Sequence, residues 1–352
     1  GGHGNAHPCI LGDPGVRCAV RSDKPTTAGT NRQLPMRTPR FIQSHLADST
    51  DERAAAQAAL LATPASASPK FFYDRLGSQL FEAITELPEY YPTRTEASIF
   101  ERHAADLAKA VGNGITLIDL GAGNCAKAAR LFPLLEPRRY VAVDISVEFL
   151  REALRRVQRE HPSTEIVGLG LDFSRALELP AGLVDGRPVF FYPGSSIGNF
   201  APDEALQFLR RIREQAGGGG LVIGVDLVKP APVLEAAYDD ALGVTAAFNL
   251  NLLRHLNRLI GSDFEPRAWR HVAFYDVQRS RIEMHLEARH DVAVSWPGAE
   301  RTFRSGERIH TENSCKYTPD GFAELLRHAG FGTPRHWTDP DGWFAVYWAP
   351  AG

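Results

Sequence analysis

Cysteine is scarce in this chain of 352 residues. There are four, at positions 9, 18, 125 and 315, without the close pairing of a zinc site or a disulfide framework. That excludes a small cystine-stapled scaffold and suits a reducing cytosol, so a cytoplasmic location is expected. The twelve histidines are scattered and form no HExxH run, so no metal is expected. An excess of one charge is lacking too. Lys and Arg number 39 against 42 Asp and Glu, a formal net charge of -3. This offers no basic face for nucleic acid and none for a membrane surface. No apolar run has the length to cross a bilayer, and none near the start resembles the core of a secretory signal. What is present, 43% hydrophobic and 23% charged residues, fits a globular chain of one large domain or two ordinary ones.

The first forty residues are rich in Gly, Pro, Thr, Arg and Asn and show no periodicity. Residues 1–41 are expected to form a disordered tail, with Met36 as the natural start. Helices are expected over 51–62, 71–87 and 95–111, with a proline-bracketed loop at 89–91 between the last two. Strands at 115–120, 140–144, 165–170, 188–192 and 220–227 then alternate with helices at 124–134, 146–159 and 203–215, which predicts a doubly wound parallel sheet. After Pro232 the pattern changes. Two helices over 233–260 precede strands at 270–278, 281–288, 291–296 and 301–308. A helix over 319–329 and a strand over 342–348 close the chain. The expected fold is therefore α/β, a Rossmann-like doubly wound sheet with an inserted α+β domain. Residues 94–228 and 315–352 form the first part, and 42–93 with 229–314 the second.

The strongest chemical signal is Leu117-Ile118-Asp119-Leu120-Gly121-Ala122-Gly123-Asn124, followed by Tyr140-Val141-Ala142-Val143-Asp144. A buried strand ends in a glycine turn, and the next strand ends in an acid. Glycines let a ligand approach the backbone, and the acid can accept hydrogen bonds from ribose hydroxyls. Asp172-Phe173, beyond the third strand, supplies an acceptor for an adenine amino group and a ring to pack on it. Lys127 lies six residues after Gly121, within reach of a cofactor. This order of groups points to S-adenosylmethionine over a nicotinamide dinucleotide, because neither a pyrophosphate seat nor a hydride-transfer dyad is found. The plainer alternatives are a solvated strand-end acid at 144, a helix cap at 172 and a solvated lysine at 127.

Beyond the fourth strand lies Tyr192-Pro193-Gly194-Ser195-Ser196-Ile197-Gly198-Asn199. Ligands bind at the carboxyl ends of such strands. An Asn offers both a carbonyl and an amide, enough to grip the ammonium–carboxylate pair of an amino acid. The alternative is a polar turn. Glu312 and Ser314 are two apart, so on an extended segment both point the same way. A carboxylate and a hydroxyl side by side suit a ring with two N–H groups, such as imidazole.

Several segments together resemble the histidine-specific Nα-methyltransferases of ergothioneine biosynthesis. They are Phe72-Tyr73-Asp74, Leu87-Pro88-Glu89-Tyr90-Tyr91-Pro92-Thr93-Arg94-x-Glu96, Asp119-Leu120-Gly121-Ala122-Gly123, Pro193-Gly194-Ser195-Ser196-Ile197-Gly198-Asn199-Phe200, Ala237-Tyr238-Asp239-Asp240 and Thr311-Glu312-x-Ser314-x-Lys316-Tyr317. The resemblance runs from about residue 42 to the C-terminus. It implies trimethylation of the α-amine of L-histidine to hercynine, with S-adenosylmethionine as cofactor. The implied cofactor site is Tyr73, Gly121, Gly123, Lys127, Asp144, Asp172, Phe173 and Ser195. The implied substrate site is Tyr90, Gly194, Asn199, Tyr238, Met284, Glu312 and Ser314, with Tyr73, Asn199 and Tyr238 nearest the reaction. Beyond the small-molecule substrate no partner is implied, and a monomer is expected. Three rivals stay open: the same chemistry on tryptophan or on a ring nitrogen of histidine, a non-catalytic module that binds adenosylmethionine or histidine, and a nicotinamide oxidoreductase.

Overall fold

Eight strands form the main sheet: β1 (Arg40–Gln43), β3 (Thr116–Leu120), β4 (Arg139–Asp144), β5 (Glu165–Gly170), β6 (Pro188–Tyr192), β7 (Gly220–Asp226), β13 (Arg335–Thr338) and β14 (Phe344–Pro350), in the spatial order β1-β5-β4-β3-β6-β7-β14-β13. A second sheet has the order β2-β12-β9-β8, from β2 (Ala65–Ser66), β8 (Trp269–Asp276), β9 (Arg281–Ala288) and β12 (Arg308–Cys315). β10 (Val292–Trp296) and β11 (Ala299–Phe303) make a separate hairpin. The computed structural model describes residues 37–43, 50–174, 177–180 and 182–352. The tail expected over 1–41, and Met36 with it, lies outside the described residues as far as position 36. Residues 40 and 41 are strand, paired in parallel with Val167 and Gly168.

In the main sheet β1, β3 to β7 and β13 run in one direction, and β14 runs against them, antiparallel to β7 on one side and to β13 on the other. β3, β6 and β7 are buried at every residue. Such uninterrupted apolar runs belong to strands covered on both faces, which is why alternation gave way to continuous hydrophobicity in the sequence. The sheet is therefore Rossmann-like, and the carboxyl ends of its parallel strands form one working edge.

Prolines account for two departures from the expected elements. Residues 89 and 90 are loop as expected, but the helix expected from 95 begins earlier, as Tyr91–Val111, with Pro92 in its first turn and Gly112 (φ 77°) at its end. A proline there loses nothing, since the first amides of a helix have no intrahelical partner. The single helix expected over 124–134 is two short ones, Ala126–Ala129 and Phe132–Leu135, because Pro133 cannot continue the first ladder. The strand expected over 301–308 is divided by a turn between β11 and β12 in which Gly306 has φ 82°. Short strands at 40–43, 65–66 and 335–338 carry too little pattern to be read in advance.

One hydrophobic cluster joins Leu60, Phe72 and Tyr91 to Leu252, Trp269, Met284 and Ile309, so the helices before residue 91 pack with the second sheet and helix Val244–Ile260. Two others flank the main sheet. Among the described residues no helix is long and apolar enough to cross a membrane.

Candidate active site

The glycine turn follows β3 directly. Gly121 and Gly123 have φ of 71° and 52°, a region that a side chain enters only under strain. The amides of Gly121 and Ala122 both reach Val143 O, at 2.9 and 3.1 Å, which folds the turn back over the end of β4. Asp144 closes that strand. Its Oδ2 accepts from Gly123 N and its Oδ1 from Ser146 N, both at 2.8 Å. Burial raises its pKa, and the backbone donors oppose the rise. A Cβ placed on Gly121 would stand 3.7 Å from Phe173 Cζ, so glycine leaves open the space between turn and ring. An exposed glycine turn, a strand-end carboxylate and an aromatic ring across the gap suit an adenosyl group. Asp172 lies beside them, its carboxylate shared with Ser174 Oγ and with Lys70 Nζ at 3.2 Å.

A recess opens next to this edge. It gathers Tyr73, Tyr90, Gly194, Ser195, Asn199, Tyr238, Met284, Glu312 and Ser314 from six separate segments. Asp144, Asp172, Phe173, Gly121 and Gly123 do not line it. Tyr73 connects the two places: its carbonyl accepts from Ser146 Oγ at 2.9 Å, beside Asp144. Its phenol pKa is raised well above 10, by burial first and then by Glu312 and Asp144. Burial likewise raises the pKa of Tyr90 and of Tyr238. All three hydroxyls are thus held protonated.

Extended backbone in β12 puts Glu312 and Ser314 on one face, opposite Met284 and Ile282 of β9, as their spacing predicts. Burial pushes the Glu312 carboxyl up to about 8, against the pull of Lys316. Ser195 Oγ accepts from Asp226 N at 2.9 Å, and Asn199 ends the 3-10 turn that follows.

Five groups around the recess had no site role in the sequence reading, although Tyr91, Glu96 and Lys316 stand within the motifs quoted there. Glu96 is 1% exposed, and its carboxylate bridges Lys127 Nζ at 2.6 Å and Gly194 N at 2.7 Å. Lys127 is therefore tied to a buried acid, not simply solvated. Asp226, at the end of β7, accepts from Tyr91 OH and Lys316 Nζ on Oδ2 (2.6 and 2.7 Å) and from Lys229 Nζ on Oδ1 (2.5 Å). Burial lowers the Lys229 pKa to about 8, with Asp226 opposing. The available signals were slight: a charged residue on the buried stripe Pro92, Glu96, Ile99, and an acid closing the run Leu221–Val225.

Comparison with known proteins gives the family. The family described as histidine-specific methyltransferase, SAM-dependent, matches residues 52–351. The histidine N-alpha-methyltransferase of Mycolicibacterium smegmatis is 40% identical over 310 residues, 85% of this chain and 95% of that one. Its counterpart from Mycobacterium tuberculosis is 41% identical over 292 residues, 81% and 90% of the two chains. Ergothioneine biosynthesis protein 1 of Neurospora crassa is 32% identical over 280 residues, 76% of this chain and 31% of that longer protein. The chain therefore belongs to the family of histidine-specific, S-adenosylmethionine-dependent methyltransferases.

Proposed function

We infer that this protein trimethylates the α-amine of L-histidine to its betaine, hercynine, the opening reaction of ergothioneine biosynthesis. The observation that carries this reading is the pairing of Glu312 and Ser314 in the recess that also holds Asn199 and Tyr238. One pair suits an imidazole, the other an amino acid's ammonium and carboxylate. Residues 94–228 with 315–352 would form the cofactor-binding domain, joined by strand β1 up to Gln43, and the rest of 42–93 with 229–314 the substrate-binding domain. The cluster shared by residues 60–91 and the second sheet supports that division. Action as a monomer in the cytoplasm fits the same reading.

Gly121, Gly123, Asp144, Asp172 and Phe173 would hold S-adenosylmethionine, with Lys127, Tyr73 and Ser195 where the two sites meet. When bound, that cofactor supplies an electrophilic methyl group. The protein's part is mainly alignment, which can account for about 7–11 kcal/mol of a barrier. An α-amine of the peptide type titrates at about 7.7–8.0, so it must shed a proton before it can react. Asp226 is engaged by two ammonium groups and a phenol, and the recess tyrosines are held neutral. Solvent is then the proton's destination. The faces of Tyr73, Tyr90 and Tyr238 favour the growing alkylammonium, by about 0.5–2 kcal/mol for each well-placed ring.

Incubation with labelled cofactor and the twenty amino acids should label histidine alone; label in tryptophan instead would reject the substrate. Glu312→Ala should raise the KM for histidine about 10- to 100-fold, the usual loss for a hydrogen bond to a charged group. Cofactor affinity should be retained. Calorimetry showing unaltered histidine binding would remove Glu312 from the site.

A further inference from the structure

Ser314 Oγ lies 2.7 Å from the hydroxyl of Tyr238 and 2.7 Å from Lys316 Nζ. Lys316 is completely buried, at 0% side-chain exposure. An ammonium has three hydrogens and no lone pair, so it can only donate. Its hydrogens go to Asp226 Oδ2 at 2.7 Å, to Ser314 Oγ and to the Tyr238 hydroxyl at 3.3 Å. Tyr238 passes its own hydrogen to Ser314. Ser314 Oγ therefore accepts twice, and a hydroxyl oxygen has two lone pairs. What it has left to offer the recess is its O–H.

Asp226 keeps this arrangement charged. Burial alone would raise its pKa, but Lys316 and Lys229 outweigh burial and lower it. Burial would lower that of Lys316, but Asp226 outweighs it. Glu312 shares the strand face with Ser314 and feels the same ammonium. From the other segments around it, Tyr73, Tyr90 and Tyr238 present phenols that burial keeps neutral.

We propose that Lys316, anchored by Asp226, is a positioning residue that fixes Ser314 as a hydrogen-bond donor, so that the site takes the histidine ring as neutral imidazole in a single tautomer. The ring N–H meets Glu312, which on binding gives up to solvent the proton it holds in the empty recess, and the lone-pair nitrogen meets the Ser314 hydroxyl. This rests on the reading of Glu312 and Ser314 as the ring-binding pair. An imidazolium would bring a second N–H against an oxygen with no lone pair to receive it. A protonated Glu312 would donate to the ring and turn the ring's own N–H onto the same saturated oxygen. The ring with two N–H groups expected from the sequence gives way to one with a donor and an acceptor. An indole, which has an N–H and no ring acceptor, would leave the Ser314 hydrogen unmatched.

The test is nitrogen-15 NMR of ring-labelled histidine bound to the full-length enzyme. At about pH 6, below the ordinary imidazole pKa of roughly 6.5, free histidine is mostly imidazolium. The bound ring should show one pyridine-type and one pyrrole-type nitrogen. Two pyrrole-type nitrogens would overturn the proposal and leave the substrate assignment intact. No bound signal under saturating histidine would sink the substrate assignment, and this proposal with it. In Lys316→Met the bound ring should become protonated at this pH, and the KM for histidine should rise about tenfold with cofactor affinity kept. Lys316→Arg, which can also only donate, should restore the neutral ring. A neutral ring in Lys316→Met would show that the ammonium does not set the direction. If that variant fails to fold, the wild-type spectrum decides.

Discussion

At the glycine-rich edge of the main sheet, Gly121, Gly123, Asp144, Asp172 and Phe173 of the proposed cofactor site stand on a turn or at or just beyond a strand end. The backbone does most of the positioning there: Asp144 is held by two amides, and the turn by one carbonyl. On the other side of Tyr73, the recess is assembled from side chains. Tyr91 meets Asp226 across 135 positions, Tyr238 meets Ser314 across 76, and Glu96 meets Gly194 across 98. A site built on backbone can lose a side chain and keep its shape. A site built on a buried ionic network cannot, because each partner removed strands a charge in a dry interior.

Asp226→Ala should expose this contrast most strongly. It leaves Lys316 and Lys229 buried without their shared carboxylate, and breaking such a pair typically costs about 3–5 kcal/mol of stability. Urea unfolding measures it. A loss below about 1 kcal/mol would mean that the network relaxes as freely as a surface one. Asp144→Ala should weaken cofactor binding about 10- to 100-fold, the usual effect of losing charge-assisted hydrogen bonds. Histidine binding should survive, since Asp144 does not line the recess. An unchanged cofactor dissociation constant by calorimetry would exclude Asp144 from the ribose position.

A further contrast concerns Glu312. In the ligand-free protein its pKa is raised from 4.5 to about 8, chiefly by burial. Between those values the folded state keeps a proton that the unfolded chain has released. Stability from this group is therefore full below 4.5 and is lost as pH rises through 8. Glu312→Gln has no proton to lose, so its thermal stability should gain on the wild type across this window. Melting curves that run parallel would show the carboxyl already ionised.

The sequence carried the backbone-built side far better than the other. Glycines forced into positive φ and an acid closing a strand are local signals, and so is the i, i+2 relation of Glu312 and Ser314 on β12. Asp226 closes a strand as Asp144 does, and Lys316 stands in the segment that carries Glu312 and Ser314, but nothing local links either of them to Lys229. Only folding shows that they neutralise one another beside Tyr91. The prolines misled for a related reason. Pro92 opens a helix of 21 residues, whereas Pro133 divides one, and the sequence near each looks alike.

Helix Tyr91–Val111 begins with Tyr90 as its N-cap, places Tyr91 on Asp226 and carries Glu96 to Lys127 and Gly194. One helix thus touches both the glycine-rich edge and the recess. A displacement of this helix would therefore be felt at Asp226, at Lys127 and at Gly194 together, so none of the three contacts can be retuned through it alone.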